Sequence, residues 1–487
     1  MAAASDSSGN ATGGAPRLNR VVAESKGRQE RRKIGKEVRE KVPRESLALW
    51  NPPADRRDPT QILIDQGADR VPDLVPVRYA RMLSSEFAFY RGAAAIMASD
   101  LSYSANTHIT VQMCGDAHLV NFGGYASPDR TFVFDVNDFD ETLPGPFEFD
   151  LKRLVASFAV AARSSSFDEA TRAPIISDVV RSYREAIQTF SQMDRMDVWY
   201  SRLTAADIEQ QWGSDLSKKY RKAFEKNVAK AQTKTSERAL QKLTTTAADG
   251  STSFISNPPF MVPLDEIVDE ASKARYAHAV QSALVGYRRS LQSDRRVLFA
   301  GYRVVDLARK VVGVGSVGTR CWVMLLSADH DENDVLMLQL KQAVPSVYEQ
   351  YVGRSRTSSH GQRVVEGQRV MQAASDILLG WTQINIRGTQ DDFYVRQMWD
   401  WKESADVPAM DPTQLRVYAQ MCGWTLARAH ARSGDRVALA GYLGADAKID
   451  TAMVGFAEAY ADQNAKDYKA MQDAASAGRI EVAAKGW

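Results

Sequence analysis

Residues 111–150 read VQMCGDAHLVNFGGYASPDRTFVFDVNDFDETLPGPFEFD, and the rest of the chain is assigned outward from this stretch. Residues 111–113 run as a short apolar strand into Cys114-Gly115-Asp116, with Asn121 five positions on. A second strand, 131–136, delivers Asn137-Asp138-Phe139-Asp140. Two strands that each end in an acidic group, joined by a glycine-bearing turn, place Asp116, Asn121 and Asp138 at one mouth. So few oxygen donors suit Mg²⁺ together with nucleotide phosphate. Asp-x-x-x-x-Asn followed by Asp-Phe is the spacing phosphoryl transfer uses: an Asp to accept the hydroxyl proton, an Asn and a later Asp for metal. That gives Asp116 as base and Asn121 and Asp138 as metal ligands, with Asp140 beside them as a further candidate ligand. Solvated turn residues or a calcium loop are the competing reading. The EF-hand pattern fails, since Phe139 and Asp140 stand where an acidic ligand and the glycine belong.

The segment resembles the GDxHxxN and DF(D/G) motifs of the protein-kinase-like superfamily, in the manner of aminoglycoside and choline kinases. The wording CGDAHLVNFG and FDVNDFDETLPGPFEFDLKRL is closer still to the domain-of-unknown-function family 2252, over about residues 50–470. The resemblance implies a kinase-like fold and a nucleotide, and no substrate. It also implies that Asp150, opening the next helix, braces the catalytic loop; a plain helix cap is the alternative.

The chain has 487 residues, 62 Lys plus Arg against 60 Asp plus Glu, for a net charge of +2. That balance gives no global pull toward nucleic acid or anionic membrane. The length is compatible with about three domains. Cys114, Cys321 and Cys422 are scattered, without a CxxC, and predict neither disulfides nor a zinc site. No charged-then-apolar leader and no window near the roughly 18 apolar residues of a membrane span is seen, so a cytoplasmic location is expected.

Residues 1–20 are predicted to be disordered. Residues 27–44, GRQERRKIGKEVREKVPR, are basic without interleaved aromatics and read as a solvated helix or tail, so 1–45 is assigned as an N-terminal tail. In residues 76–102 Tyr79, Met82, Leu83, Phe87 and Tyr90 recur at helical intervals. Arg78, Arg81 and Arg91 on this piece are either surface residues or phosphate clamps. A helix is predicted over 149–162, with Leu151, Leu154, Val155 and Phe158 on one stripe. Residues 217–256 are charged and Thr-rich, and read as a helical excursion or a substrate-binding insert.

From 311 the texture changes to VVGVGSVGTRCWVMLLSADHDENDVLMLQLKQA. Gly313, Gly315 and Gly318 form a GxGxxG, with Ser316 inside it. Strands on both sides, 319–326 and 335–341, favour a glycine-rich hairpin over phosphates, with Lys341 contacting them, over the dinucleotide version that opens a helix. Lys341 needs an acidic partner on a helix; Glu366, in 363–379, is favoured over Glu349. Residues 393–399 read as a strand connecting two lobes, and 412–432 as a long helix ending at glycine.

The motif order is inverted relative to ordinary kinase-like chains: base and metal motifs come at 116–138, the glycine loop, lysine and long helix at 313–432. The expected fold is therefore α+β, a two-lobed protein-kinase-like fold with circularly permuted order. A helical lobe over 46–300, a β-rich nucleotide-binding lobe over 301–402 and helices over 403–487 complete it. The expected activity is ATP- and Mg²⁺-dependent phosphoryl transfer to a hydroxyl of an unknown, small acceptor. AMP transfer from the same cleft and a non-catalytic nucleotide-binding regulator are the alternatives.

Overall fold

The structure, a computed structural model, describes residues 26–233, 236–246, 252–311, 313, 315–331, 334–385, 388–398 and 401–484. The segment expected to be disordered, 1–20, lies outside the described residues. The architecture is mixed α and β, with antiparallel sheets and a large helical part.

The basic run forms helix α1 (Arg28–Lys41), and it is docked, which corrects its assignment as a tail. It crosses a later helix at backbone contact. A Cβ on Gly35 would lie 1.8 Å from the Ala438 carbonyl oxygen, and one on Gly441 would lie 2.3 Å from that of Arg32. Only residues without a side chain allow that approach. Arg39 and Arg44 each donate at 2.5 Å to the carbonyls of Gly441 and Leu443, supplying the donors that a helix C-terminus lacks. The piece over 76–102 is broken into α2 (Val75–Met82), α3 (Glu86–Gly92) and α4 (Ala94–Ser102). The break falls at Ser85, whose hydroxyl caps α3 by accepting from the Ala88 amide at 3.0 Å.

Strand β1 (Thr110–Met113) pairs antiparallel with β4 (Leu143–Pro146), and β2 (Phe122–Ala126) with β3 (Phe132–Val136). Helix α5 (Phe147–Ser164) follows, with residues 147–162 buried on all sides rather than along one stripe. It is enclosed by α6 (Glu169–Gln192) and later helices, and its Leu154, Val155 and Phe158 belong to the principal apolar core.

The second core is built on a six-stranded antiparallel sheet. Helix α7 (Ser236–Leu243) and helix α8 (Glu270–Ser290) flank it. The strands are β5 (Met261–Pro263), β6 (Tyr302–Lys310), β7 (Cys321–Ala328), β8 (Val335–Ala343), β9 (Gly380–Asn385) and β10 (Gln390–Gln397), in the order β9-β10-β8-β7-β6-β5. The period of two along a strand sorts the faces. Met324, Leu326, Leu338 and Leu340 pack against Ala279, Ala283 and Tyr287 of α8. Val323, Leu325 and Met337 face Ala239 and Leu243 of α7. Within the 217–256 segment the helix over 218–232 is largely exposed, while the second helix, α7, covers one face of the sheet. The residues packed on the sheet begin well before position 301, where the β-rich part was expected to start.

After β8 come α9 (His360–Met371) and then α10 (Pro412–Ser433), α11 (Arg436–Leu443) and α12 (Lys448–Ser476). Helix α10 packs along α6, and α12 along α5. Asp411 and Gln414 form a reciprocal capping box at the start of α10.

Substituting Gly35→Ala should cost about 1–3 kcal/mol, the range for forcing extra atoms into a packed contact. A lowered melting temperature together with faster protease cleavage within residues 26–43 is the expected result. A change confined to neither would show that α1 is not tightly docked.

Candidate functional site

At the end of β1 the chain turns at Gly115, where φ is +82°. A Cβ there would lie 2.2 Å from the Glu141 carbonyl oxygen, so the turn requires glycine. The carboxylate of Asp150, in the first turn of α5, accepts from the amides of Cys114 and Gly115 at 2.8 and 2.9 Å. His430 Nε2 approaches the same carboxylate at 3.2 Å, and Tyr183 holds His430 Nδ1 at 2.8 Å. Asp150 therefore braces the turn before Asp116; the residue at the helix cap position is Pro146.

Asp116 is held by a residue that the sequence did not single out. Arg153 donates from Nε to Asp116 Oδ1 at 2.8 Å and from Nη2 to the Tyr90 carbonyl at 2.8 Å, and its guanidinium lies 4.0 Å from the Tyr90 ring centroid. Burial pushes the Asp116 carboxyl up, against the pull of Arg153. The Asn121 side chain donates to the Asp116 carbonyl at 2.8 Å, and the Asn121 carbonyl accepts from the Asn137 amide at 2.8 Å. These two bonds tie the two acidic motifs into one unit. His118 is buried beside them, Nε2 3.8 Å from Asp116 Oδ2, and burial followed by the nearby Arg153 keeps it neutral.

Lys341 of β8 crosses to this unit. Its Nζ lies 3.6 Å from Asp138 Oδ1 and 2.5 Å from Asp140 Oδ2, while Tyr394 of β10 donates to Asp140 Oδ1 at 2.7 Å. Burial opposes the ammonium, but Asp138 and Asp140 outweigh it and raise its pKa. The same proximity, against burial, lowers that of Asp138.

Two expectations are corrected here. The acidic partner of Lys341 is Asp140 with Asp138, and Glu366 is not; it sits on the exposed face of α9, bonded to Gln362 at 2.6 Å. Glu349, the competitor, lies near Arg363 and His360 at 3.9 and 3.6 Å. Asp140, with both oxygens engaged by Lys341 and Tyr394, is spent on positioning the lysine and is a poor metal ligand.

The glycine-rich connection between β6 and β7 is described at residues 311, 313 and 315–320. It is pinned to the helical part. Val317 is fully buried beside Leu74 and Val77, Arg70 Nη1 donates to the Val317 carbonyl at 2.5 Å, and the Val71 amide donates to the Gly318 carbonyl at 2.8 Å. Gly318 has φ +90°, and a Cβ there would press on the Arg70 side chain at 3.0 Å. Ser316 Oγ lies 3.4 Å from Asp140 Oδ2.

Two cavities meet beneath this loop, sharing Asp138, Gly313 and Ser316 as wall residues. One, about 290 Å³, runs past Lys341 along Gln339, Arg396, Gln397 and Met398. The other, about 280 Å³, contains Asp116, His118 and Asn121, with Arg78 and Arg91 in its wall. The geometry thus gathers Asp116, Asn121, Asp138, Asp140, Gly313, Gly315, Ser316 and Lys341 around one junction, and leaves Glu366 outside.

A family model matches residues 70–474. The chain belongs to the DUF2252 family. Its description is an uncharacterized protein conserved in bacteria, and the DUF2252 match takes in every residue of the junction. No curated protein and no solved structure matches the chain. No helix among the described residues of this DUF2252 member is long and apolar enough to cross a membrane. Nor is any group of three His, Cys, Asp or Glu side chains among them placed to hold a metal ion.

Arg70, Arg153, Tyr394 and Arg396 are site residues that sequence reasoning missed. Arg153 stands three positions after Asp150, one helical turn away on the same face, and that spacing was the available signal. Replacing Asp150 by Ala would strand two buried amides and should cost about 3 kcal/mol or more. A fall in the urea midpoint at unchanged slope is the check, and wild-type stability would refute the bracing role.

Proposed function

We propose that this chain is a kinase-like phosphotransferase that moves the γ-phosphoryl of ATP, with Mg²⁺, to a hydroxyl of a small acceptor. The observation that carries the reading is the junction itself. Lys341 and Asp140, 201 positions apart, are in contact at the one place where the two cavities meet.

The connectivity supports a permuted kinase-like cycle. The glycine loop joins β6 to β7, the lysine lies on β8, a helix follows, and β9 and β10 complete that side of the sheet before the chain enters α10. The end of α10 then lies against β1, the Ser433 hydroxyl accepting from the Gln112 amide at 3.1 Å. A Cβ on Gly434 would lie 2.7 Å from Val111. In an unpermuted order the long helix would lead directly into that strand; here the chain departs into α11 and returns to β1 only in space.

The division of labour follows from the contacts. With Oδ1 fixed by Arg153, Asp116 offers Oδ2 to an acceptor hydroxyl and takes its proton as the bond to phosphorus forms. Lys341, held by Asp140, contacts the phosphate oxygens. The donor set fits a hard cation: Asp138 Oδ1 is buried without a hydrogen-bond partner, and the Asn121 amide nitrogen is used on Asp116, leaving its carbonyl oxygen as donor. Mg²⁺ held by these two oxygens and by phosphate would neutralise the charge of the transferred group. Catalysis by such a site is mainly positioning and electrostatics.

One observation favours a second reading, AMP transfer. The cavity beyond Lys341, where a base would sit, is lined by Lys310, Asp376, Arg396, Gln397 and Lys402, a polar wall poorly matched to an apolar ring. A nucleotide bound in reverse would release pyrophosphate.

Asp116→Asn should lower turnover by about 10³-fold, within the range for loss of a general base, with ATP binding retained. Asp138→Asn should remove the Mg²⁺ dependence of nucleotide binding. Product analysis decides between the readings: ADP supports phosphoryl transfer, pyrophosphate supports AMP transfer, and wild-type turnover by both variants rejects the site.

A further inference from the structure

Other buried arginines among the described residues are matched to carboxylates. Arg153 has Asp116 at 2.8 Å, Arg184 has Asp450 at 2.8 Å, and Arg428 is paired with Asp135. Arg78 breaks the pattern. It is 0 % exposed, yet its Nη2 donates only to the Gln66 side chain at 2.6 Å and the Gly92 carbonyl at 3.1 Å. Its Nε and Nη1 have no partner, and among the described residues no carboxylate lies within ion-pair distance. Arg91, in the last turn of α3, and Arg70 share the same cavity wall, again with no carboxylate among the described residues in ion-pair contact. Asp116 and Asp138 act on Arg91, and Asp140 and Glu141 on Arg70; these four belong to the junction or its edge, and Asp69 stands in the same cavity wall. Burial and the neighbouring Arg70 both act against the charge of Arg78. Uncompensated buried charge is costly unless something pairs with it, and guanidinium groups match carboxylate and phosphate oxygens two at a time.

We infer that the cavity holding Asp116 recognises an anionic acceptor, a small molecule whose phosphate or carboxylate group is taken by Arg78 and Arg91 while its hydroxyl meets Asp116. This rests on the phosphotransferase reading for the role of the molecule, but the anion site stands on its own geometry. A cavity of about 280 Å³ sits at the small end of ligand sites and admits a metabolite, not a folded protein. A phosphate of the nucleotide carries the same chemistry, and the experiment separates the two sources.

The test is calorimetric titration of inorganic phosphate into the full chain saturated with Mg²⁺ and a non-hydrolysable ATP analogue, so that the γ-phosphate position is filled. Arg78→Met and Arg91→Met are compared with wild type, each by its own melting curve. The expected result is phosphate binding to wild type, weakened at least tenfold in either variant, with analogue affinity unchanged within about twofold. Loss of analogue affinity in step with phosphate would assign the arginines to the nucleotide and overturn the inference, as would phosphate binding that is absent from wild type or insensitive to both substitutions. Should Arg78→Met fail to fold, the partly exposed Arg91→Met carries the test. If wild type binds no analogue while Arg91-dependent phosphate binding persists, the anion site stands and the nucleotide assignment falls.

Discussion

A buried ammonium that must find its counter-charge on another part of the chain is the constraint around which this structure is arranged. Lys341 is 4 % exposed on its side chain at a central position of the six-stranded sheet, where leaving it alone would be prohibitive. Its two acidic neighbours come from the turn after β3, in a separate sheet. The sheet-centred part can bury its lysine only by closing on the β2–β3 hairpin. Arg363, which donates to the carbonyls of Asp140, Thr142 and Val344 at 2.7–2.8 Å, locks that closure from the side of α9.

The helical part uses similar fasteners at its other seams. Asp135 of β3 is paired with Arg428 of α10 and also accepts from the Ala373 amide at 2.8 Å. Arg184 joins α6 to Asp450 of α12, and Arg56 is shared between Asp100 and Asp467 at 2.6–2.8 Å. Buried ion pairs add little net stability against apolar replacements, but breaking one leaves an isolated charge. Their effect is to reject misregistered packing. The hairpin carrying Asp138 is thereby fastened to α10 through the Asp135–Arg428 pair.

Much of the local structure was legible from residue pattern. The strands read over 319–326 and 335–341 are found at 321–328 and 335–343, buried on both faces because successive side chains meet opposite apolar layers, one supplied by α7 and one by α8. The helix over 412–432 was readable from its stripe and its terminal glycine, and the Asp116, Asn121 and Asp138 spacing led to one locality. Membership of the DUF2252 family rested on the same contiguous motifs. The readings that failed did so for one reason. The periodicity of α9 tells which residues share a face but not which face meets Lys341, so Glu366 was chosen although Val364, Val365 and Gln368 point inward and Glu366 outward. The charge of 27–44 suggested solvation, because a helix contact made through Gly35 and Gly441 involves no apolar stripe.

The sequence by itself determined most of the elements, the mixed α+β class and the family, and singled out Asp116, Asn121 and Asp138, because each reading depends on residues close together along the chain. Only the tertiary structure decided the pairings: Asp140 with Lys341, Arg153 with Asp116, and Arg78 with no acid among the described residues. Charge pairing depends on distance in space, and two groups some 200 positions apart carry no local mark of the partner that burial forces them to find.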